Sequence, residues 1–345
     1  MVRAMTVESN SADLGLPWLV GDVGGTNARL GWVPSLTAGV THVRTLPTAG
    51  FDGPAAAVRA YLADMAASSA PAVAVPGRAA LAVASTISGD AVELTNSHWR
   101  FSSAQLQAEL GLRSLRVLND FEALALSLPR LGPTQWRAHG LAPNAQGVLA
   151  VIGPGTGLGV AGLVQTAHGW CALASEGGHA TLSAADDFEG ALLAHARRTH
   201  EHVSAERLLS GIGLPDLHQA VAAVLGQPAT RLRAKDIVDS GMGLGAQGVD
   251  ALCERTLDVF CALLGGFAGN VALTLGAHGG VYIGGGIVPR LGERFYASAF
   301  RQRFEAKGRF RALLQTIPTA VITDTLAALS GAQAAIEQQL TLQPN

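Results

Sequence analysis

Two glycine-rich turns, each following an apolar run, carry the chemistry most directly readable in this chain: Gly24-Gly25-Thr26-Asn27 and Gly155-Thr156-Gly157. Each is expected to form strand, tight turn, strand. Glycine reaches positive φ and carries no Cβ, so a large anion can sit against consecutive backbone N–H groups. Two such turns can hold one polyphosphate from both sides. No Lys-Ser/Thr follows to make a P-loop, and the second turn has glycine at alternate positions where a dinucleotide fingerprint needs G-x-G-x-x-G. A hairpin phosphate clamp remains.

Polar residues beside these turns add reactive groups. Asp22 ends the apolar strand that enters the first turn, where a carboxylate can hold a phosphate-carrying metal directly or through water. The alternative is a turn-forming Asp. Asn119-Asp120 closes an apolar strand and opens a helix, and an Asn or Asp there ordinarily caps the helix. Set beside two phosphate turns, Asp120 is also the carboxylate that can accept a proton from a hydroxyl attacking a γ-phosphoryl group. A helix N-terminus favours the ionised form and makes a weak base, so its expected part is to orient the hydroxyl and take the proton late. Glu176-Gly177-Gly178-His179 and Glu206 supply two carboxylates and an imidazole, and Asn119 supplies an amide. These groups match a polyhydroxylated substrate, whose buried hydroxyls each need a partner. The competing readings are a surface Glu176, a structural His179 and an ion pair from Glu206 to Arg207 or a neighbour.

A chain of 345 residues exceeds what one hydrophobic core usually serves, which predicts two domains with the site between them. Glycine at 42 residues, aromatics at 5% and charged residues at 14% describe a closely packed α/β protein. A net charge of −2 and no run of Lys or Arg argue against a nucleic-acid partner, which needs a basic face. Residues 259–289 hold no Asp, Glu, Lys or Arg and are long enough to span a bilayer. Gly265, Gly266, Gly269, Gly276, Gly279, Gly280 and Gly284 to Gly286 divide them into a buried helix, a strand and a turn, so no membrane association is expected. Residues 1–16 carry Glu8 and Asp13, form no secretory signal and are expected to fray. Cys171, Cys253 and Cys261 form no C-x-x-C pair, which suits a reducing cytoplasm.

The elements that must position these groups alternate. After the first hairpin come a helix over 53–67, strands over 79–84 and 91–94, and a helix running from Ser102-Ser103 to Leu110. A strand over 115–118 and a helix over 121–128 complete a β-β-α-β-β-α-β-α order, expected as a layered domain with functional loops at strand ends. Residues 130–146, rich in Pro and Gly, read as a connection. The strand–turn–strand pattern of 19–33 then recurs over 151–164, which suggests an internal duplication. Helices over 189–199, around Ala205, and over 214–224 and 248–275 make the second half more helical, and a last helix over 325–338 is expected to pack on the first domain.

Taken together, Gly21-Asp22-Val23-Gly24-Gly25-Thr26-Asn27, Thr95-Asn96 before Trp99, Asn119-Asp120-Phe121, Gly155-Thr156-Gly157, Glu176-Gly177-Gly178-His179, Glu206-Arg207 with Ser210-Gly211, and Gly284-Gly285-Gly286 closely resemble the bacterial glucokinase family. The resemblance runs from about Trp18 to the last helix. It implies an α/β, two-domain actin-like ATPase (ribonuclease H-like) fold: a small domain of residues 1–130 completed by a C-terminal helix in 322–345, a large domain of 131–321, and a cleft between them. It also implies ATP-dependent, Mg²⁺-assisted phosphorylation of the 6-hydroxyl of D-glucose, feeding glycolysis in a cytoplasmic homodimer. On the same footing Asp120 is the catalytic base, and Asn119, Asp120, Glu176, His179 and Glu206 hold the sugar. Gly24, Gly25, Thr26, Asn27, Gly155, Thr156 and Gly157 hold phosphates, Gly284, Gly285 and Gly286 lie by the adenosine, and Asp22 reaches Mg²⁺ through water. One departure is Ser85-Thr86, where the family has proline, a change expected to leave the named residues untouched. The related repressor, open-reading-frame and kinase group usually has a Cys-rich zinc motif after its Glu-x-Gly-His; none follows here, so His179 is read as a sugar contact. A kinase for another hexose and a non-catalytic sugar sensor are the rival readings, and ATP, ADP or polyphosphate could use such turns.

Overall fold

Trp18, Leu19, Val20 and Val23 are all buried, the pattern of a strand covered on both faces. This strand, β1 (Trp18–Val23), is the middle strand of the first sheet in the computed structural model, which describes residues 14–68, 75–244 and 248–342. After it come β2 (Asn27–Val33), β3 (Thr41–Pro47), α1 (Pro54–Ser68), β4 (Arg78–Val83), β5 (Ala91–Glu93), β6 (Arg100–Ser102), α2 (Ser103–Glu109), β7 (Ser114–Asn119) and α3 (Asp120–Ser127). The sheet order is β3-β2-β1-β4-β7, an antiparallel meander followed by two strands parallel to β1, while β5 and β6 form a ribbon of their own. Ala57, Val58, Tyr61 and Met65 of α1 and Leu106 of α2 share a core with Leu19, Leu81 and Val83 of the sheet. The helix Ala327–Leu342 packs on β1, β4 and α3, so closely that a Cβ on Gly331 would lie 1.7 Å from the Ala123 carbonyl oxygen.

The second sheet repeats that plan. Its elements are β8 (Trp136–Ala138), β9 (Leu149–Pro154), β10 (Leu158–Thr166), β11 (Gly169–Ser175), α4 (Asp187–Ala196), α5 (Ala205–Leu208), α6 (Leu214–Val224), α7 (Ala234–Gly241), α8 (Ala251–Leu275), β12 (Gly280–Ile283) and β13 (Thr319–Ile322), with short helices between β12 and β13. Its order is β11-β10-β9-β12-β13-β8, again a meander followed by two strands parallel to the first, with β8 added at the far edge. The duplication suggested by two similar turns is therefore a duplication of sheet topology. Two such sheets are the ribonuclease H-like order of the actin-like ATPase fold.

The chain divides into two compact units. One comprises residues up to Leu131, Gln165–Ala172 and the chain from Thr325; the other comprises Gly132–Val164 and Leu173–Asp324. The uncharged stretch 259–289 lies in the second, where α8 is long and apolar enough to cross a membrane yet has 72% of its most apolar window buried within the protein. Its Leu257, Phe260, Leu264 and Ala268 belong to the core of that unit. Gly276, at φ +63°, ends the helix, whereas Gly265 and Gly269 stay inside it. A Cβ on Gly265 would meet the Phe300 carbonyl at 2.1 Å, so these glycines let the helix Phe300–Glu305 cross backbone to backbone.

Four strands and several helices differ from the sequence reading. β3 and β6 were not anticipated, since one is an edge strand with mostly part-exposed side chains and the other has three residues. β8 lies within the Pro- and Gly-rich stretch read as a connection, and β13, α7 and the short helices between β12 and β13 were not foreseen. Residues 1–13 of the expected tail and 343–345 of the expected C-terminal extension lie outside the described residues. Leu14–Leu16 does not fray, because Leu14 is buried and its carbonyl accepts from Trp18 Nε1 at 3.0 Å and Arg78 Nε at 3.1 Å.

Candidate functional site

In the first unit, strand register gathers the expected residues at one end of the sheet. Val23 pairs with Val83, which pairs with Asn119, so the first glycine turn and the start of α3 leave the sheet at the same level. They stand two strands apart, roughly 10 Å at ordinary strand spacing. The Gly24 N–H donates to the Asn27 carbonyl at 2.9 Å and closes the turn. Thr48 then fixes its direction: its hydroxyl donates to the Gly25 carbonyl at 2.7 Å and its N–H to the Thr26 carbonyl at 2.9 Å. In a trans peptide the N–H points opposite the carbonyl, so the amides of Thr26 and Asn27 aim away from Thr48, where an anion can meet them. Both residues are exposed. A Cβ on Gly25 would lie 2.5 Å from the Asn96 carbonyl oxygen, which explains glycine there and gives Thr95-Asn96 a structural part.

Asp22, with 22% of its side chain exposed, pairs with Arg29 at 3.3 Å across the hairpin. Burial pushes its carboxyl above the usual range, and the Arg29 charge and hydrogen bond oppose that rise. The described residues hold no group of three or more His, Cys, Asp or Glu able to enclose a metal. One half-buried carboxylate suits a cation such as Mg²⁺ that keeps its waters and takes its other ligands from phosphate.

At the head of α3 the structure bears out the capping reading. Asn119 is the N-cap, its Oδ1 accepting from the N–H groups of Phe121 at 2.8 Å and Glu122 at 3.3 Å. Its Nδ2 donates to the Ser85 carbonyl at 3.1 Å, leaving the second amide hydrogen as what Asn119 can offer a substrate. That contact corrects the expectation that Ser85-Thr86 leaves the site residues untouched, because Ser85 orients Asn119 through its backbone. Asp120 follows in the first helical turn, half-buried, with Oδ1 accepting from the Phe121 N–H at 3.0 Å. Asn119→Ala is expected to lower stability by about 1 kcal/mol through loss of the cap, which a thermal melt would register.

In the second unit the equivalent turn is built with the same device. The Gly155 N–H donates to the Gly157 carbonyl at 2.9 Å, and the carbonyls of Gly155 and Thr156 accept from the N–H groups of Gly211 at 2.8 Å and Ile212 at 3.2 Å. The amides of Thr156 and Gly157 accordingly aim away from Gly211-Ile212. Gly211-Ile212 thereby does for this turn what Thr48 does for the first. Gly284, Gly285 and Gly286 follow β12, which pairs in parallel with β9, so they leave the sheet beside this turn. Gly285, at φ +75°, has room for no Cβ because the Pro154 carbonyl oxygen would lie 2.4 Å away.

Glu176, His179 and Glu206 converge next to that turn. Gly177–His179 is a single turn of 3-10 helix, seated so tightly that a Cβ on Gly178 would lie 1.8 Å from the Leu158 carbonyl oxygen. Ser204 caps α5, its Oγ accepting from the Arg207 N–H at 3.2 Å, which places Glu206 in the first turn. His179 Nε2 stands 4.0 Å from Glu176 Oε2 and 3.8 Å from Glu206 Oε1, beyond hydrogen-bond reach of either. His179 is 59% exposed and is not a buried structural histidine. Glu206 does not pair with Arg207; its Oε2 accepts from the Leu158 N–H at 2.8 Å, beside the glycine turn. Two carboxylates and an imidazole around one exposed position can bind adjacent hydroxyls, and a phosphate-sized amide nest adjoins them. Thr48, Ser85 and the Leu158 amide went unread in the sequence, since each acts through backbone or a common hydroxyl.

Comparison with known proteins agrees with this chemistry. The family model described as Glucokinase matches residues 19–339. The chain is 47% identical over 318 residues to a protein named glucokinase from Paramagnetospirillum magneticum, covering 91% of this chain and 95% of that one. It is also 47% identical over 325 residues to one from Aromatoleum aromaticum, covering 94% and 96%. Among solved structures, a glucokinase from an Antarctic psychrotroph superposes with a TM-score of 0.84 at 38% identity, covering 93% of this chain and 98% of that one.

Proposed function

The chain belongs to the glucokinase family, and from that premise we propose that it transfers the γ-phosphoryl group of ATP to the 6-hydroxyl of D-glucose. The observation that carries the reading is the convergence of Glu176, His179 and Glu206 on one exposed position beside an amide nest, since hydroxyl recognition next to phosphate recognition is what a sugar kinase needs. Glu176 and Glu206 accept from sugar hydroxyls, while His179 and the second amide hydrogen of Asn119 complete the set. Asp120 orients the 6-hydroxyl and takes its proton as the new O–P bond forms and the bond to the ADP leaving group breaks. The amides of Thr26, Asn27, Thr156 and Gly157 bind phosphate oxygens, and Gly284 to Gly286 border the adenosine. Asp22 would hold Mg²⁺ through water, and the ion would supply positive charge to the phosphates.

Other elements of the reading rest on family resemblance: a role in glycolysis, a cytoplasmic location and a homodimer. Most of the apolar stretch 259–289 lies in the core of its own unit. The test is a coupled assay for glucose 6-phosphate with purified protein, ATP and Mg²⁺, run beside mannose, fructose and N-acetylglucosamine. Strong preference for glucose is expected. Faster turnover of another hexose would reassign the substrate, and glucose binding without turnover would favour a sensor.

A further inference from the structure

Gly157 sits in the turn assigned to phosphate, yet the atom nearest its missing side chain belongs to the sugar site. A Cβ there would lie 2.4 Å from Glu206 Oε2, the oxygen that accepts the Leu158 N–H at 2.8 Å. Gly155, at the other end of the same turn, has no atom within 4 Å of an added Cβ. Neither glycine has positive φ, so alanine is compatible with the backbone at both positions. The two therefore differ in one respect, which is whether a methyl group displaces the Glu206 carboxylate.

We propose that Gly157 is a positioning residue for the sugar: its bare α-carbon and the adjoining Leu158 N–H together seat Glu206 Oε2, and so aim Oε1 at the position shared with His179. Glu206 Oε1 stands 3.8 Å from His179 Nε2, a separation that a bound hydroxyl spans only while the carboxylate keeps its rotamer. This inference rests on the glucokinase reading and deepens it, because it makes the phosphate turn and the sugar carboxylate one mechanical unit. Any shift of the turn is transmitted to Glu206 through a hydrogen bond to a charged acceptor, and binding at either site is felt at the other by linkage. Since the clash meets the far end of a flexible side chain and not backbone, the variant is expected to fold.

Calorimetric titration with glucose, without nucleotide, tests this on the full-length protein, Gly157→Ala and Gly155→Ala. Gly157→Ala is expected to weaken glucose binding by roughly ten- to hundredfold, the scale of a hydrogen bond to a charged group, and Gly155→Ala to leave it within about twofold. Equal effects at both positions, or none at Gly157, overturn the proposal while leaving the glucokinase reading in place. If the unsubstituted protein binds no glucose, the reading fails and the inference with it. A second measurement needs no variant: saturating glucose alone should move the Leu158 amide resonance, and an unmoved resonance overturns the proposal even if Gly157→Ala does not fold.

Discussion

Asp120→Asn is expected to bind glucose as the unsubstituted protein does and to lose turnover by roughly 10²–10⁴-fold, the usual range for removing a general base. The geometry makes the substitution unusually clean. Asn119, not Asp120, caps α3, so the helix start survives, and an asparagine oxygen can still accept the Phe121 N–H that Asp120 Oδ1 accepts at 3.0 Å. What asparagine cannot do is take the proton from the attacking hydroxyl. The coupled assay reads the turnover and calorimetry the binding. Near-normal turnover would remove Asp120 from the chemistry, and loss of binding together with turnover would make it a sugar ligand first.

Gly178→Ala is expected to act on both stability and activity. The atom in its way is the backbone carbonyl of Leu158, 1.8 Å from the added Cβ, and β10 is held there by its pairing with β9. The strand cannot give, so the turn Gly177–His179 must lift, and Glu176 and His179 move with it. A penalty of about 3 kcal/mol, the upper end for overpacking, is expected in denaturant unfolding, with glucose turnover falling beyond what the unfolded fraction explains. Gly190→Ala is the control. It lies inside α4 with no atom within 4 Å of an added Cβ, and it should gain up to about 1 kcal/mol from helix propensity. If Gly178→Ala unfolds no earlier than Gly190→Ala, the close seating of that turn on β10 is wrong.

The parts of this site legible in the sequence were those in which residue type alone states a constraint. Glycines between apolar runs announced both turns, and a polar pair between a strand and a helix announced Asn119-Asp120, where Asn119 is the cap and Asp120 lies in the first helical turn. Glu176, His179 and Glu206, singled out in the sequence as groups that suit hydroxyls, do lie together in the structure. Supports that act through the backbone were not. Nothing in the letters of Thr48, Ser85 or Leu158 distinguishes a residue that holds a turn or a carboxylate from one that merely fills a strand end. Of the unread strands, β3, β6 and β8 failed for a different reason: they are short or at an edge, where few residues are buried and the period-2 signal has little to act on.

The helix Ala327–Leu342 gives the order of synthesis a consequence for α3. It lies against α3 through Gly331, and Arg130 holds Glu337 with two hydrogen bonds, at 2.7 Å and 3.2 Å, while Arg116 reaches the Ala335 carbonyl at 3.4 Å. The ribosome delivers β1 to α3 early, then nearly all of the second unit, and only then this helix. The helix that begins at Asp120 therefore gains its backing only when the last element of its unit has been made.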